Sequence, residues 1–132
     1  MPRPMHFELH ADDPQRAITF YASVFGWRFM KWDSAAMEYW LVMTGADDQP
    51  GIDGGMIRRI GPPPEEGAAV NAYPCTMGVD DIDATERAIN EAGGVIVLSK
   101  ATIPGVGFLV YARDTEGNIF GVMQTDESAT EE

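Results

Sequence analysis

The chain has 132 residues, one cysteine and a formal net charge of −12 at pH 7. That length fits a single domain with a real core, and a hydrophobic fraction of 45% is ordinary for a folded protein. Nine Lys and Arg against 21 Asp and Glu leave no basic stripe of the kind that displaces nucleic-acid counterions, so the excess acidity reads as solubility and self-repulsion. One cysteine excludes an intrachain disulfide. No apolar run approaches the ~20 residues that span a bilayer, and the N-terminus lacks a signal-type apolar region. The expectation is a cytoplasmic protein without membrane or nucleic-acid partners.

Met5–Leu9 reads as a first strand. Asp12–Asp13–Pro14 opens a helix with an acidic cap and a proline in its first turn; with Asp12 as cap, Gln15 completes a capping box. Ala17, Phe20, Tyr21 and Val24 share helical spacing and predict one apolar face, and Gly26 predicts the stop. Trp27–Trp32 and Glu38–Thr44 have the aromatic and β-branched content of strands. Asp47–Gly51 is a turn cluster, and Gly54–Ile60 a short fourth strand whose two glycines read as edge glycines. The run Gly61–Gly67, with three consecutive prolines, is a linker.

The pattern then returns. Ala72–Val79 is a strand, and Asp80–Asp81 opens a helix whose inner face is Ile82, Thr85, Ala88, Ile89 and Ala92. Gly93–Gly94 ends it. Val95–Leu98, Val106–Tyr111 and Ile119–Gln124 are further strands, with a turn at Asp114–Asn118 before the last. The acidic tail Asp126–Glu132 is expected to fray. A shift of about 68 residues lays Asp13 on Asp81, Tyr21 on Ile89, Val24 on Ala92 and Gly26 on Gly94; a slightly shorter one lays Gly51 and Gly55 on Gly117 and Gly121. The chain is therefore α+β: two tandem βαβββ modules in one domain, module one over 1–60, a linker over 61–71, module two over 72–126 and a tail over 127–132.

The run His6-Phe7-Glu8-Leu9-His10-Ala11-Asp12-Asp13-Pro14, with Phe20-Tyr21 and Val24-Phe25-Gly26-Trp27, resembles the vicinal oxygen chelate superfamily of glyoxalases, bleomycin resistance proteins and extradiol dioxygenases. Asp114–Gly121 resembles that superfamily's last turn and strand. Ile103-Pro104-Gly105-Val106-Gly107 resembles a loop of a glyoxalase-like subgroup of mostly unassigned activity. The resemblance implies a curved, cup-like mixed sheet with helices outside, a homodimer in many members, and in catalytic members a divalent metal on four side chains, typically His or Gln on each module's first strand and Glu on its last.

The implied metal set is incomplete. His6 matches the first ligand by its spacing to Asp13, but the equivalent position before Asp81 is Pro74, and the last-strand carboxylate position is Gly121. Its counterpart in the first module is Gly55, or Asp53 on the longer shift. The remaining metal candidates are His6, Glu8 and Asp53; of the four family positions only His6 is matched outright and Asp53 only on the longer shift, short of the three protein ligands a catalytic ion usually needs. No metal or other cofactor is therefore expected.

His6, Glu8 and His10 share strand parity and should point to one face. Glu8 at mid-strand is costly unless paired; His6, His10 or Arg58 are the expected partners. It reads either as a satisfied polar network or as a ligand anchor or general base. His10, near the strand end, reads as rim. Tyr39, Trp40 and Tyr111 are core aromatics or stacking surfaces. Met43, Met56, Met77 and Met123 are apolar packing, or the lining of an apolar site. Cys75, opposite in parity to Pro74, should face the helix as an inert core thiol. The expected function is binding of a small hydrophobic or aromatic molecule by His6, Glu8, Tyr39, Met56, Arg58, Thr76, Tyr111 and Met123 without the usual metal. The alternative is a lyase, isomerase or dioxygenase of the same superfamily using His6 and Glu8, with or without a divalent metal.

Overall fold

A computed structural model describes residues 2–32, 38–69, 71 and 73–130. The described elements are β1 (Pro4–Ala11), α1 (Pro14–Phe25), β2 (Arg28–Trp32), β3 (Tyr39–Met43), β4 (Gly54–Arg58), β5 (Cys75–Gly78), α2 (Ile82–Glu91), β6 (Val95–Ile103), β7 (Gly107–Arg113) and β8 (Ile119–Thr125). This is the expected βαβββ order, twice. The expected strand start at Ala72 and the last two tail residues, Glu131 and Glu132, lie outside the described residues.

The chain divides into two compact units, one of residues 6–73 and one of residues 1–5 and 74–132. In the first, strands run in the order β2-β3-β4-β1, with β1 and β4 parallel and the other pairs antiparallel. The second repeats this as β6-β7-β8-β5, with β5 and β8 parallel. Each helix is the crossover that lets a unit's first strand reach the far side of its meander.

Both helices start on the aspartate that the repeat aligns. Asp13 accepts from Arg16 N at 3.1 Å, and Asp81 from Ala84 N at 3.1 Å. Asp13, not Asp12, is therefore the first cap; with Pro14 at N1 the helix begins one residue later than the capping-box reading, and Asp12 pairs with Arg59 instead. Gly26 closes α1 at φ 74°, a left-handed conformation glycine adopts without strain.

The buried stripe of α1 is Pro14, Ala17, Ile18 and Tyr21, packed with Phe7, Leu9, Trp40, Val42 and Met56. Phe20 and Val24, expected on that face, are 56% and 55% exposed. Phe20 and Val24 stand three residues after the stripe members Ala17 and Tyr21, at its edge, and stay exposed there. On α2, Ile82 and Ile89 join Val110 and Val122 in the core, but Ala88 and Ala92 are exposed.

Cys75 is exposed, not a core thiol: α2 covers β6, β7 and β8 and leaves the start of β5 open. The tail is docked through Ala129. Asp126 N donates to Val106 O at 2.9 Å, Gly105 N to Ala129 O at 3.1 Å, and the Ala129 methyl is buried. Those bonds satisfy the β6–β7 turn, so residues 126–129 do not fray.

Candidate functional site

Strand register sorts the candidate side chains by face. Across β1, β4 and β3, Glu8 lies beside Gly55 and Leu41, while Leu9 lies beside Met56 and Trp40. Neighbours in register share a face. His6, Glu8, His10, Tyr39, Leu41, Gly55 and Ile57 therefore line the face away from α1. Met56 lies on the helix face, buried in the core, and Arg58, two residues on, has the same parity. Neither shares Glu8's face. Arg58 pairs with Glu38 at 3.3 Å and not with Glu8. The register that decides this is set by long-range pairing, which strand-local alternation does not reveal.

Glu8 is 1% exposed. Its Oε1 lies 3.3 Å from His6 Nε2, the partner expected from parity, and the His6 side chain keeps 18% of its surface. Oε2 is shielded from water and makes no well-formed hydrogen bond among the described residues. Tyr39 comes in from β3 with its hydroxyl against the same carboxylate; burial first, then the charge and hydrogen bonding of Glu8, hold its phenol protonated far above the ordinary tyrosine range. Gly55 makes this approach possible. A Cβ there would run into the Tyr39 hydroxyl. Glycine in a strand signals such a close approach; Gly54 and Gly55 are the first two residues of β4, at the head of the strand as expected, and Gly54 leaves room for the ring of Phe7. His10 is half-buried at the end of the row, and desolvation lowers its pKa below the usual histidine value, opposed by Glu8 and assisted by Arg59.

The second unit repeats the arrangement with different chemistry. Thr76 pairs with Gly121 and Gly121 with Tyr111. Thr76 is fully buried and its Oγ1 has no hydrogen-bond partner among the described residues. A Cβ on Gly121 would lie 2.9 Å from that oxygen and 3.3 Å from the Tyr111 ring. Tyr111 and Met123 belong to the buried cluster on this face, with Ile103 and Leu109. A glycine beside a buried oxygen, overlain by a tyrosine, is thus present in both units, and the glycine spacing that aligned Gly55 with Gly121 was its only signal in the sequence.

The donor set does not fit the superfamily's divalent metal. Among the described residues no three His, Cys, Asp or Glu side chains lie together. Asp53 is engaged in its own turn, with Oδ1 accepting from Thr44 N at 2.9 Å and Thr44 Oγ1 at 3.2 Å. A shallow polar depression lined by Thr44, Gln49, Pro50 and Asp53 belongs to this β3–β4 loop and does not border Glu8.

A family model of bleomycin resistance protein-like N-terminal regions matches residues 3–45. The CFP32 protein of Mycobacterium tuberculosis (strain CDC 1551 / Oshkosh), whose name assigns it provisionally to the glyoxylases, is 33% identical over 117 residues. That match covers 89% of this chain and 42% of CFP32, so the chain spans less than half the length of this relative. A glyoxylase-like domain-containing protein of Didymella fabae is 29% identical over 119 residues, covering 87% of this chain and 88% of the relative. Among solved structures, a Vibrio splendidus 12B01 member of the glyoxalase/bleomycin resistance protein/dioxygenase superfamily aligns over 96% of this chain and 100% of its own, at a TM-score of 0.60 and 18% identity. Methylmalonyl-CoA epimerase from Mycobacterium tuberculosis aligns over 92% and 87%, at 0.61 and 14%. At these identities the structures speak for the fold alone.

Proposed function

We propose that this chain, which belongs to the glyoxalase/bleomycin resistance/dioxygenase superfamily, holds a small organic molecule on the Glu8 face of its first unit without a catalytic divalent metal. The observation that carries the reading is Glu8, a carboxylate 1% exposed whose Oε2 makes no well-formed hydrogen bond among the described residues, with only the Tyr39 hydroxyl and His6 against the group. An unmet acceptor in a low-dielectric setting is costly, and sites that keep one commonly meet it with a ligand. Leu41 and Ile57 give the same face an apolar surface, and Tyr39 adds an aromatic ring, which suits a hydrophobic or aromatic body around a polar head. His6 and Glu8 alone are too few donors to hold a Lewis-acidic ion for catalysis.

Chelator-treated protein screened by thermal shift against small aromatic compounds should give hits whose Tm increase is the same with and without EDTA. Hits that appear only after Mn, Ni or Zn is added back would refute the metal-free reading.

One observation favours a second reading, proton transfer. Tyr39 is a protonated phenol held against a carboxylate, the pairing a lyase or isomerase uses to move a proton to and from carbon. That reading requires turnover of a carbonyl substrate by chelator-treated protein, abolished in Glu8→Gln with the fold intact.

A further inference from the structure

Resting on the binding reading above, we infer that the Glu8 carboxylate seats a positively charged nitrogen of the ligand, a protonated amine, amidinium or guanidinium. Four observations lead there. The carboxylate is 1% exposed, and beside the Tyr39 hydroxyl that lies against the group its Oε2 makes no well-formed hydrogen bond among the described residues. Among the described residues the ion-pair partner of Oε1 is His6, at 3.3 Å, long for a charge-assisted bond. No Lys or Arg pairs with Glu8 among the described residues, and the nearest in sequence to its strand partners, Arg58 and Arg59, are taken by Glu38 and by Asp12 and the His10 carbonyl. Finally, the net charge of −12 favours approach of a cation and disfavours an anion.

The geometry also disfavours an anionic head, which would meet Glu8 with like charge in a water-poor setting. A protonated nitrogen supplies both the charge and the hydrogen bond that this oxygen lacks, and it would enter past His6, the partly exposed member of the group. The Tyr39 ring beside the carboxylate offers a π-face to the same cation.

The test is calorimetric titration of chelator-treated protein with a matched set: benzamidine, benzylamine and phenylguanidine as cations, benzamide and benzyl alcohol as neutral isosteres, and benzoate as anion. The expected result is binding of the cations at least tenfold tighter than benzamide, lost in Glu8→Gln, which keeps the side-chain size and removes the charge. Equal or tighter binding of the neutral compounds or of benzoate overturns the inference while leaving the binding reading intact. Cation binding unchanged in Glu8→Gln also overturns it. No binding by any member of the set overturns the inference, whereas hits in the broader metal-free screen would still uphold the reading beneath it. If Glu8→Gln fails to fold by circular dichroism, the wild-type ranking of benzamidine against benzamide decides alone.

Discussion

At the scale of single residues, the site depends on a glycine as much as on the groups around it. Gly55 holds no functional atom, yet its missing Cβ is the space that Tyr39 uses to reach Glu8. Gly55→Ala should therefore force the phenol off the carboxylate. Overpacking of this kind costs about 1–3 kcal/mol, measurable by urea denaturation. The substitution should also move a tyrosine titration. Tyr39 ionises far above the ordinary range because of burial and Glu8, and Tyr21 is pushed up to about 12 by burial and its hydrogen bond to Tyr73. Raised folded-state values favour the neutral phenol, so this stabilisation is complete below the unfolded tyrosine pKa near ~10 and is lost as pH rises through the folded values. In Gly55→Ala one phenolate absorbance step should fall back toward ~10, with the Tyr21 step near 12 unchanged. An unchanged alkaline titration would mean that Tyr39 does not depend on the glycine niche.

At the scale of elements, what was legible in the sequence was what is encoded locally. Caps, stops and turns are properties of a few adjacent residues, and Asp13, Gly26, Asp81 and the Asp114 turn all stand where the sequence put them, with Asp114 accepting from Glu116 N at 2.8 Å and Asn118 N at 2.9 Å. Strand parity correctly put His6 and Glu8 on one face. Whether Met56 packs the core or lines the Glu8 face was open in the sequence, because the β1–β4 register is a choice between distant segments and a one-residue difference reverses every side chain; the register puts it in the core. The α1 face was misread at Phe20 and Val24 for a related reason: periodicity gives the width of an apolar stripe, while its centre is fixed by the strands below. Cys75 was misplaced because the extent of a helix's cover is a tertiary property. The repeated caps give the element-scale prediction. Asp13→Ala and Asp81→Ala should each destabilise their unit by about 1 kcal/mol, with Asp12→Ala producing less. Equal losses for Asp12 and Asp13 in denaturant melts would contradict the assignment of Asp13 as the cap.

At the scale of the whole molecule, duplication kept the scaffold and let the chemistry diverge. Both units run one βαβββ path, and both set a glycine beside a buried first-strand oxygen, Glu8 with Gly55 and Thr76 with Gly121. One oxygen belongs to a carboxylate and the other to a hydroxyl, so the formal charge of the pattern resides in the first unit alone. Gly121 stands where metal-dependent relatives are expected to carry a carboxylate, and Glu8 supplies one two residues along from the expected first-strand ligand His6. Those two positions are what the proposed metal-free, charged anchor rests on. The most direct test is a two-dimensional amide NMR titration of chelator-treated protein with the tightest small-molecule hit. The account predicts shift changes concentrated at His6, Glu8, Tyr39 and Gly55 and absent in Glu8→Gln. Perturbations confined to residues away from that face, or appearing only after a divalent metal is restored, would contradict it.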